Sequence, residues 1–296
     1  MGDKPALRPG EPVGAALTAI AHETVAEART ALADIDRGSA VAVHDYRKAM
    51  KRWRAVLRLL EPFLGPEGHQ LRVAARDLAR RLAGARDQQA ALDALKDLEE
   101  AELGLPQTSV ATMRGRLEEA RLATELTTLT AELRDQLQAA LAGAGQAVDA
   151  WLLQDVSFPD VAGEIARHYR RARRAIPAAW AETGAEALHQ LRQRVVEHRY
   201  QMELIEPVWP RFGKLWVAEA QRLRERLGSH QDLVVLGNLT APHQLLAPWR
   251  SRLTLPIEQR RAAHVAGSRR LALRLFAERP RAFRRRLEAL WEGAGD

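Results

Sequence analysis

The chain has 296 residues and no cysteine, which excludes disulfide and thiol chemistry and suits a reducing cytoplasm. Aromatic residues make up only 5% and β-branched residues are sparse, while Ala, Leu, Arg and Glu dominate, a composition that points to an all-α protein. The formal charge is +7. No stretch approaches the roughly 18 uninterrupted apolar residues of a membrane span, and the opening MGDKPALRPGEPVGAAL lacks the features of a secretory leader, so a soluble, cytoplasmic protein is expected.

In chain order, a 3.6-residue periodicity is interrupted at Gly38-Ser39, at Pro62 through Gly68, at Gly84, at Gly104 with Pro106 and at Gly143 to Gly145. Further interruptions follow at Pro159, Gly184, Trp209-Pro210, Gly228-Ser229, Pro242, Pro256 and Pro280. These breaks divide the chain into about ten helices in antiparallel succession. Ser39 and Ser229 stand where an N-cap hydroxyl would accept the first free amide protons of the next helix. The GAGQ stretch around Gly143 and the following SFPD read as the mid-chain joint.

Charge is segregated along this succession. Residues 89–160 carry five Lys or Arg against thirteen Asp or Glu, net −8, so the remainder carries +15. The acidic stretch reads as a solvated outer helix pair. Forty of the 45 basic residues are arginine, which a compositional bias of the genome explains, but such a bias does not decide where the charges sit.

The segment VHDYRKAMKRWRAVLRLLEP, residues 43–62, concentrates the positive charge. At about 100° per residue, His44, Arg47, Lys51, Arg54 and Arg58 share an arc of about 80° with Lys48 at its border. Tyr46, Met50, Trp53, Leu57 and Leu60 occupy the other sides, as a helix packed into a bundle requires. Like charges at this spacing repel by a few tenths of a kcal/mol per pair. A face that keeps such repulsion is either simply wet or awaits an anion.

An offset of 145 residues aligns the two halves without a gap over more than forty positions. His44, Arg47 and Arg54 fall on His189, Arg192 and Arg199; Glu61-Pro62 falls on Glu206-Pro207; Gly68 meets Gly213 and Asp87 meets Asp232. Two copies of a helical unit, 11–145 and 157–292, are expected to pack about an approximate two-fold axis. In the second copy Val196 and Glu203 replace two cations of the stripe, and the preceding EIARHYRRARRAI, with Arg167, Arg170, Arg171 and Arg174 on one face, is expected to restore them. Ten arginines between Arg260 and Arg286, against Glu278 alone, add to the excess. If the axis brings the stripes together, their cations converge on one groove suited to a polyanion with closely spaced phosphates, since guanidinium groups bind phosphate oxygens bidentately.

The motif H-x-x-R-K-x-x-K-R-x-R at 44–54, the later YRRARRA and ALHQLRQRVVEHRYQ, and the paired LAGARDQQAAL and LGSHQDLVVL resemble the CHAD domain, the conserved histidine α-helical domain, over nearly the whole chain. The resemblance implies a single domain over residues 1–296, built of two four-helix bundles related by pseudo-symmetry around a basic central groove or channel. It also implies binding of inorganic polyphosphate and association with polyphosphate granules and their proteins. His44, Arg47, Lys48, Lys51, Arg52 and Arg54 match the first motif; His189, Arg192, Arg194 and Tyr200 match the second. The second half departs at Gln193, Val196 and Gln231, so weaker binding is expected there. Asp87 and Asp232 are expected to open helices and to cap amides or orient an arginine.

No catalytic role, metal or cofactor is expected. His44 and His189 lack a second ligand one turn away, no glycine-flanked nucleophilic serine occurs, and neither a P-loop nor the E-x-E-x-K opening of a triphosphate tunnel is present. Two other readings remain at this stage: non-specific nucleic-acid binding, because any cation-lined groove attracts phosphates, and a helical scaffold with a merely solvated stripe.

Overall fold

A computed structural model describes residues 5–36, 42–81, 86–128 and 130–294. The expected N-cap Ser39 and the break at Gly84 lie outside the described residues. Among the described residues the protein is all-α, with ten helices and no strand: α1 (Val13–Asp36), α2 (Ala42–Arg81), α3 (Arg86–Glu100), α4 (Gln107–Thr128), α5 (Ala131–Asp149), α6 (Phe158–Arg174), α7 (Ala185–Ile205), α8 (Pro210–Asn238), α9 (Arg250–Leu275) and α10 (Pro280–Gly293). Short 3₁₀ turns, Glu206–Val208 and Ala247–Trp249, precede α8 and α9.

Several predicted breaks act as punctuation. Gly65, at φ 61° and ψ −145°, kinks α2 between Pro62 and Pro66, a conformation open to glycine and disfavoured for other residues. Gly104 takes φ 75° in the loop before α4. Ser157 and Asp160 form a reciprocal capping box at the start of α6, and Gly184 is the N-cap of α7.

Others do not break their helices. Gly143 and Gly145 lie inside α5, Gly228 and Ser229 inside α8, and α9 runs through Pro256, so Ser229 is no N-cap and the mid-chain joint is 150–157 instead. The physical reason at two of these glycines is an arginine from a neighbouring helix. A Cβ on Gly145 would stand 2.6 Å from Arg29 Nη2, and one on Gly228 would stand 3.4 Å from Arg192 Nε. Arg29 also donates to the Leu141 carbonyl at 2.9 Å. The missing side chain seats a guanidinium against the helix, at the usual cost of about 1 kcal/mol of helix propensity.

Shifting the second half back by 145 positions lays α6 on α1, α7 and the start of α8 on the two segments of α2, the end of α8 on the start of α3, α9 on α4, and α10 on α5. The aligned glycines share a contact: Gly68 packs toward the Cα of Glu61 at 3.4 Å and Gly213 toward the Cα of Glu206 at 2.7 Å, both measured from where a Cβ would lie. The hydrophobic clusters nevertheless do not divide along the repeat boundary. One joins Leu17 and Ile20 of α1, Tyr46 and Leu57 of α2 and Leu137 of α5 to Val161 of α6, Leu191 of α7, Leu223 of α8 and Phe283 of α10. The other joins Leu95 and Leu98 of α3 and Met113 and Leu117 of α4 to Leu233 and Leu236 of α8 and Leu253 of α9. Each core thus draws on both halves, and α8, about 44 Å long at 1.5 Å per residue, passes from one to the other. Tyr46 and Trp53, read as core residues on the apolar side of the stripe, are 1% and 2% exposed.

The acidic helix pair also makes a polar fastening. Asp97 of α3 accepts from Arg260 Nη2 at 2.6 Å and Nε at 3.0 Å, and lies 2.7 Å from His264 Nε2 on α9. Those neighbours hold its carboxyl well below the usual carboxylate range, even though burial alone pushes it upward. No helix among the described residues is long and apolar enough to cross a membrane.

Candidate polyanion-binding groove

Between α2 and α7 lies a groove of about 480 Å³. From α2 come His44, Lys48, Lys51, Arg54 and Arg58, and from α7 come His189, Arg192 and Arg199. The two stripes therefore line one cavity, as their 145-residue correspondence predicts. Among the described residues, nine lysines and arginines line it against a single carboxylate, Glu197.

The remaining cations of the lining are Arg72, beyond the kink of α2, Arg86 at the start of α3, and Arg224 of α8. The sequence reading missed all three, because the stripe was followed along one helix and these residues reach the groove from beyond a kink or from other helices. Gln193, Gln221 and Tyr200 add neutral polar groups, and Val196, where the first repeat carries Lys51, adds an apolar one.

Several predicted residues stand elsewhere. Arg52 turns from the groove and makes two 3.0 Å contacts with Glu27 of α1. It lines a second cavity, of about 760 Å³, among Glu23, Asp34, Asp45, Glu203 and Glu206. Arg194 lies outside the lining, 3.2 Å from Glu197, and so does the half-buried Arg47, though it is close enough for its charge to act on Lys51. Arg167, Arg170, Arg171 and Arg174 do not restore the second stripe. They are exposed on α6, whose buried face, including Ile165 and Tyr169, packs inward, so the arginine run points outward; Arg167 pairs with Glu164 at 2.8 Å. The carboxy-terminal arginines are absent from the lining as well; of these, Arg284 pairs with Glu288 and Arg286 with Glu278.

Crowding of like charges shows in the ionisation of the lining. Lys51 remains open to solvent yet is walled closely enough that partial desolvation, then the charges of Arg192, Arg86, Arg224 and Arg47, pull it down to about 8. Burial also lowers Arg54, Arg58 and Arg192, and it lowers His189 with help from Arg192. Asp232 is pushed up to about 6 by burial, against the pull of Arg192, Arg86 and Arg224. It lies within α8 rather than at a helix start, and of its two expected roles the one it fills is facing an arginine; Asp87 does stand in the first turn of α3.

Carboxylates neutralise part of the groove. Arg58 Nη1 is 2.8 Å from Glu197, Arg72 Nε is 2.5 Å from Glu61, and Arg199 Nη1 is 2.5 Å from Glu203 while its guanidinium lies 4.3 Å over the Tyr200 ring. No cluster of metal-ligating side chains occurs among the described residues.

The CHAD domain profile matches residues 16–241, well over half of the chain. The chain belongs to the CHAD-domain family. Among solved structures, this CHAD domain is similar in fold to PptA from Streptomyces chartreusis, with a TM-score of 0.60 and 17% identity over 90% of this chain and 100% of that one. It is also similar to the CHAD domain from the plant Ricinus communis, with a TM-score of 0.54 and 18% identity over 97% of this chain and 95% of that one. No curated protein matches the chain.

Proposed function

We propose that this CHAD domain binds inorganic polyphosphate in the groove between α2 and α7. The observation that carries the reading is the lining itself: nine cationic side chains and two histidines drawn from α2, α3, α7 and α8 against one carboxylate. Condensed phosphate is a dense line of small anions, and arginine forks with a lysine between them match it without reading any base. The aromatic residues near the stripe, Tyr46 and Trp53, are buried in the core, so base stacking gains no platform from them.

In this reading the two repeats face each other across a pseudo-two-fold axis within one domain, each supplying one wall. His44, Lys48, Lys51, Arg54, Arg58, His189, Arg192 and Arg199 contact phosphate. The domain acts by binding rather than catalysis, and brings the protein to polyphosphate granules in the cytoplasm. Calorimetric titration with long-chain polyphosphate, short duplex DNA and single-stranded RNA at matched ionic strength tests it. Polyphosphate should bind most tightly, with affinity falling steeply as salt is added; duplex DNA binding as tightly as polyphosphate overturns the assignment.

A further inference from the structure

The cations of the groove fall into two unlike sets. Around Arg54, Arg58 and Arg72 the neighbours include the carboxylates Glu197 and Glu61, both within ion-pair distance of an arginine. Around Lys51 the neighbours are Arg192, Arg86, Arg224 and Arg47; Asp232 acts on Arg192, Arg86 and Arg224 together, Arg224 also lies 3.5 Å from the exposed Glu225, and Glu186 acts on His189, so the cations still outnumber the carboxylates. Burial already draws the Asp232 carboxyl toward its neutral form.

A second observation coincides with this set. Of the four lining nitrogens among the described residues that are buried without a hydrogen-bond partner, three belong to it, Arg192 Nε, Arg224 Nε and His189 Nδ1, and the fourth is Arg199 Nε. Buried guanidinium donors left unsatisfied are costly and uncommon, and an anionic oxygen is the acceptor they lack, as it is for His189 when its ring is protonated.

We propose that the end of the groove around Lys51, Arg192, Arg224 and His189 is an anchor for the terminal phosphate of a condensed phosphate chain, so that the protein holds polyphosphate by its end. The inference rests on the polyphosphate reading and specifies it. An end unit of such a chain carries a second acidic ionisation near neutrality, hence close to two charges on three free oxygens, by analogy with a phosphate monoester of second pKa about 6. An internal unit carries one charge on two free oxygens. A compact set of cations that outnumbers its carboxylates, with several unmet donors, complements the concentrated charge. The part where Arg58 and Arg72 already hold carboxylates suits the weaker charge of internal units.

The test uses the unaltered protein and polyphosphate preparations of short and long chain length, titrated to saturation, together with a preparation whose ends are capped as phosphoramidates, which leaves each end unit the single charge of an internal one. The expected result is one protein per free chain end at every length, about tenfold weaker binding after capping, and competition by inorganic triphosphate. If the number bound per chain instead grows with length and capping changes nothing, the groove holds internal segments and the anchor is overturned while the polyphosphate reading stands. If no preparation binds, both fall. Arg224→Gln should remove the difference between free and capped ends, whereas Glu197→Gln should keep it; a difference that survives Arg224→Gln also overturns the anchor.

Discussion

Arg58 and Glu197 meet across the groove at 2.8 Å, and the 145-residue correspondence makes Glu197 the counterpart of Arg52. Likewise Glu203 is the counterpart of Arg58, and the charge of Arg52 acts on it. Two identical copies of the first half facing each other would oppose Arg58 with Arg52. The second copy carries a carboxylate at both positions, which turns two repulsive contacts into attractive ones; the exchange accounts for the loss of the stripe cation at Glu203 but not for Val196, where Lys51 has no charged counterpart.

Because Glu197 is the one acid in the lining among the described residues, Glu197→Gln should strengthen polyphosphate binding. Ion pairs with this much exposure are worth roughly 0.2–1 kcal/mol, so a gain of up to about 5-fold is expected, with a stability loss of no more than about 1 kcal/mol. Calorimetry and urea denaturation of the same sample read both, and a weakened affinity would contradict the assignment of the groove.

Lys51 gives the groove a pH dependence in the alkaline range. Lowered to about 8, and surrounded by Arg47 of α2, Arg86 of α3, Arg192 of α7 and Arg224 of α8, it is charged below that pH and loses its proton above it. Affinity should therefore fall as pH rises through 8, and Lys51→Met should flatten the profile. The sign for folding is the opposite: between about 8 and about 10.4 the unfolded chain binds the proton that the folded chain has released, so this group adds stability as pH rises through that window.

On the acid side the stability rests on buried neutral histidines. Burial, then the nearby charges, lowers His198 to about 3 and His230 to about 4, and His198 accepts a 2.7 Å hydrogen bond from Trp216 Nε1. Below about 6.5 the unfolded chain binds protons that these side chains refuse, so stability falls with pH. Asp232, raised to about 6, works the other way between about 6 and 3.9 and offsets part of the loss. Urea midpoints should show a net loss on the order of a few kcal/mol between pH 7 and pH 4, at about 1.4 kcal/mol per pKa unit. An unchanged midpoint would contradict the neutral assignment.

Two glycines should respond oppositely to alanine. Gly143 lies in α5 with nothing within 4 Å of an added Cβ, so Gly143→Ala should stabilise by about 1 kcal/mol through helix propensity. At Gly213 the added Cβ would stand 2.7 Å from the Cα of Glu206, a backbone atom that must move, and Gly213→Ala should cost about 1–3 kcal/mol. Thermal or urea denaturation of the pair distinguishes these glycines directly.

The fold was legible where the pattern is local: the breaks at Gly104, Pro159, Gly184 and Pro280, and the burial of Tyr46 and Trp53, follow from helical periodicity and backbone chemistry. Gly145 and Gly228 misled because each glycine accommodates an arginine from another helix, a tertiary reason that no local window contains. The site was legible where the repeat register carries it, in His44, His189, Arg54, Arg192 and Arg199. It was not legible for Arg72, Arg86 and Arg224, which arrive from beyond a kink or from other helices. The outward face of α6 was misjudged because helical spacing shows that its arginines share a side without showing which side packs.

The central claim is that polyphosphate is held in the groove rather than on the arginine-rich exterior. Affinity should be compared by calorimetry between a groove variant, Arg54→Ala with Arg192→Ala, and an exterior variant in which Arg170, Arg171 and Arg174 are all alanine. Loss of two forked phosphate contacts at about 1.5–3 kcal/mol each should weaken the groove variant by about 100-fold or more, with the exterior variant within a few-fold of the parent at moderate salt. A groove variant that binds like the parent, or an exterior variant that loses as much, would contradict the account.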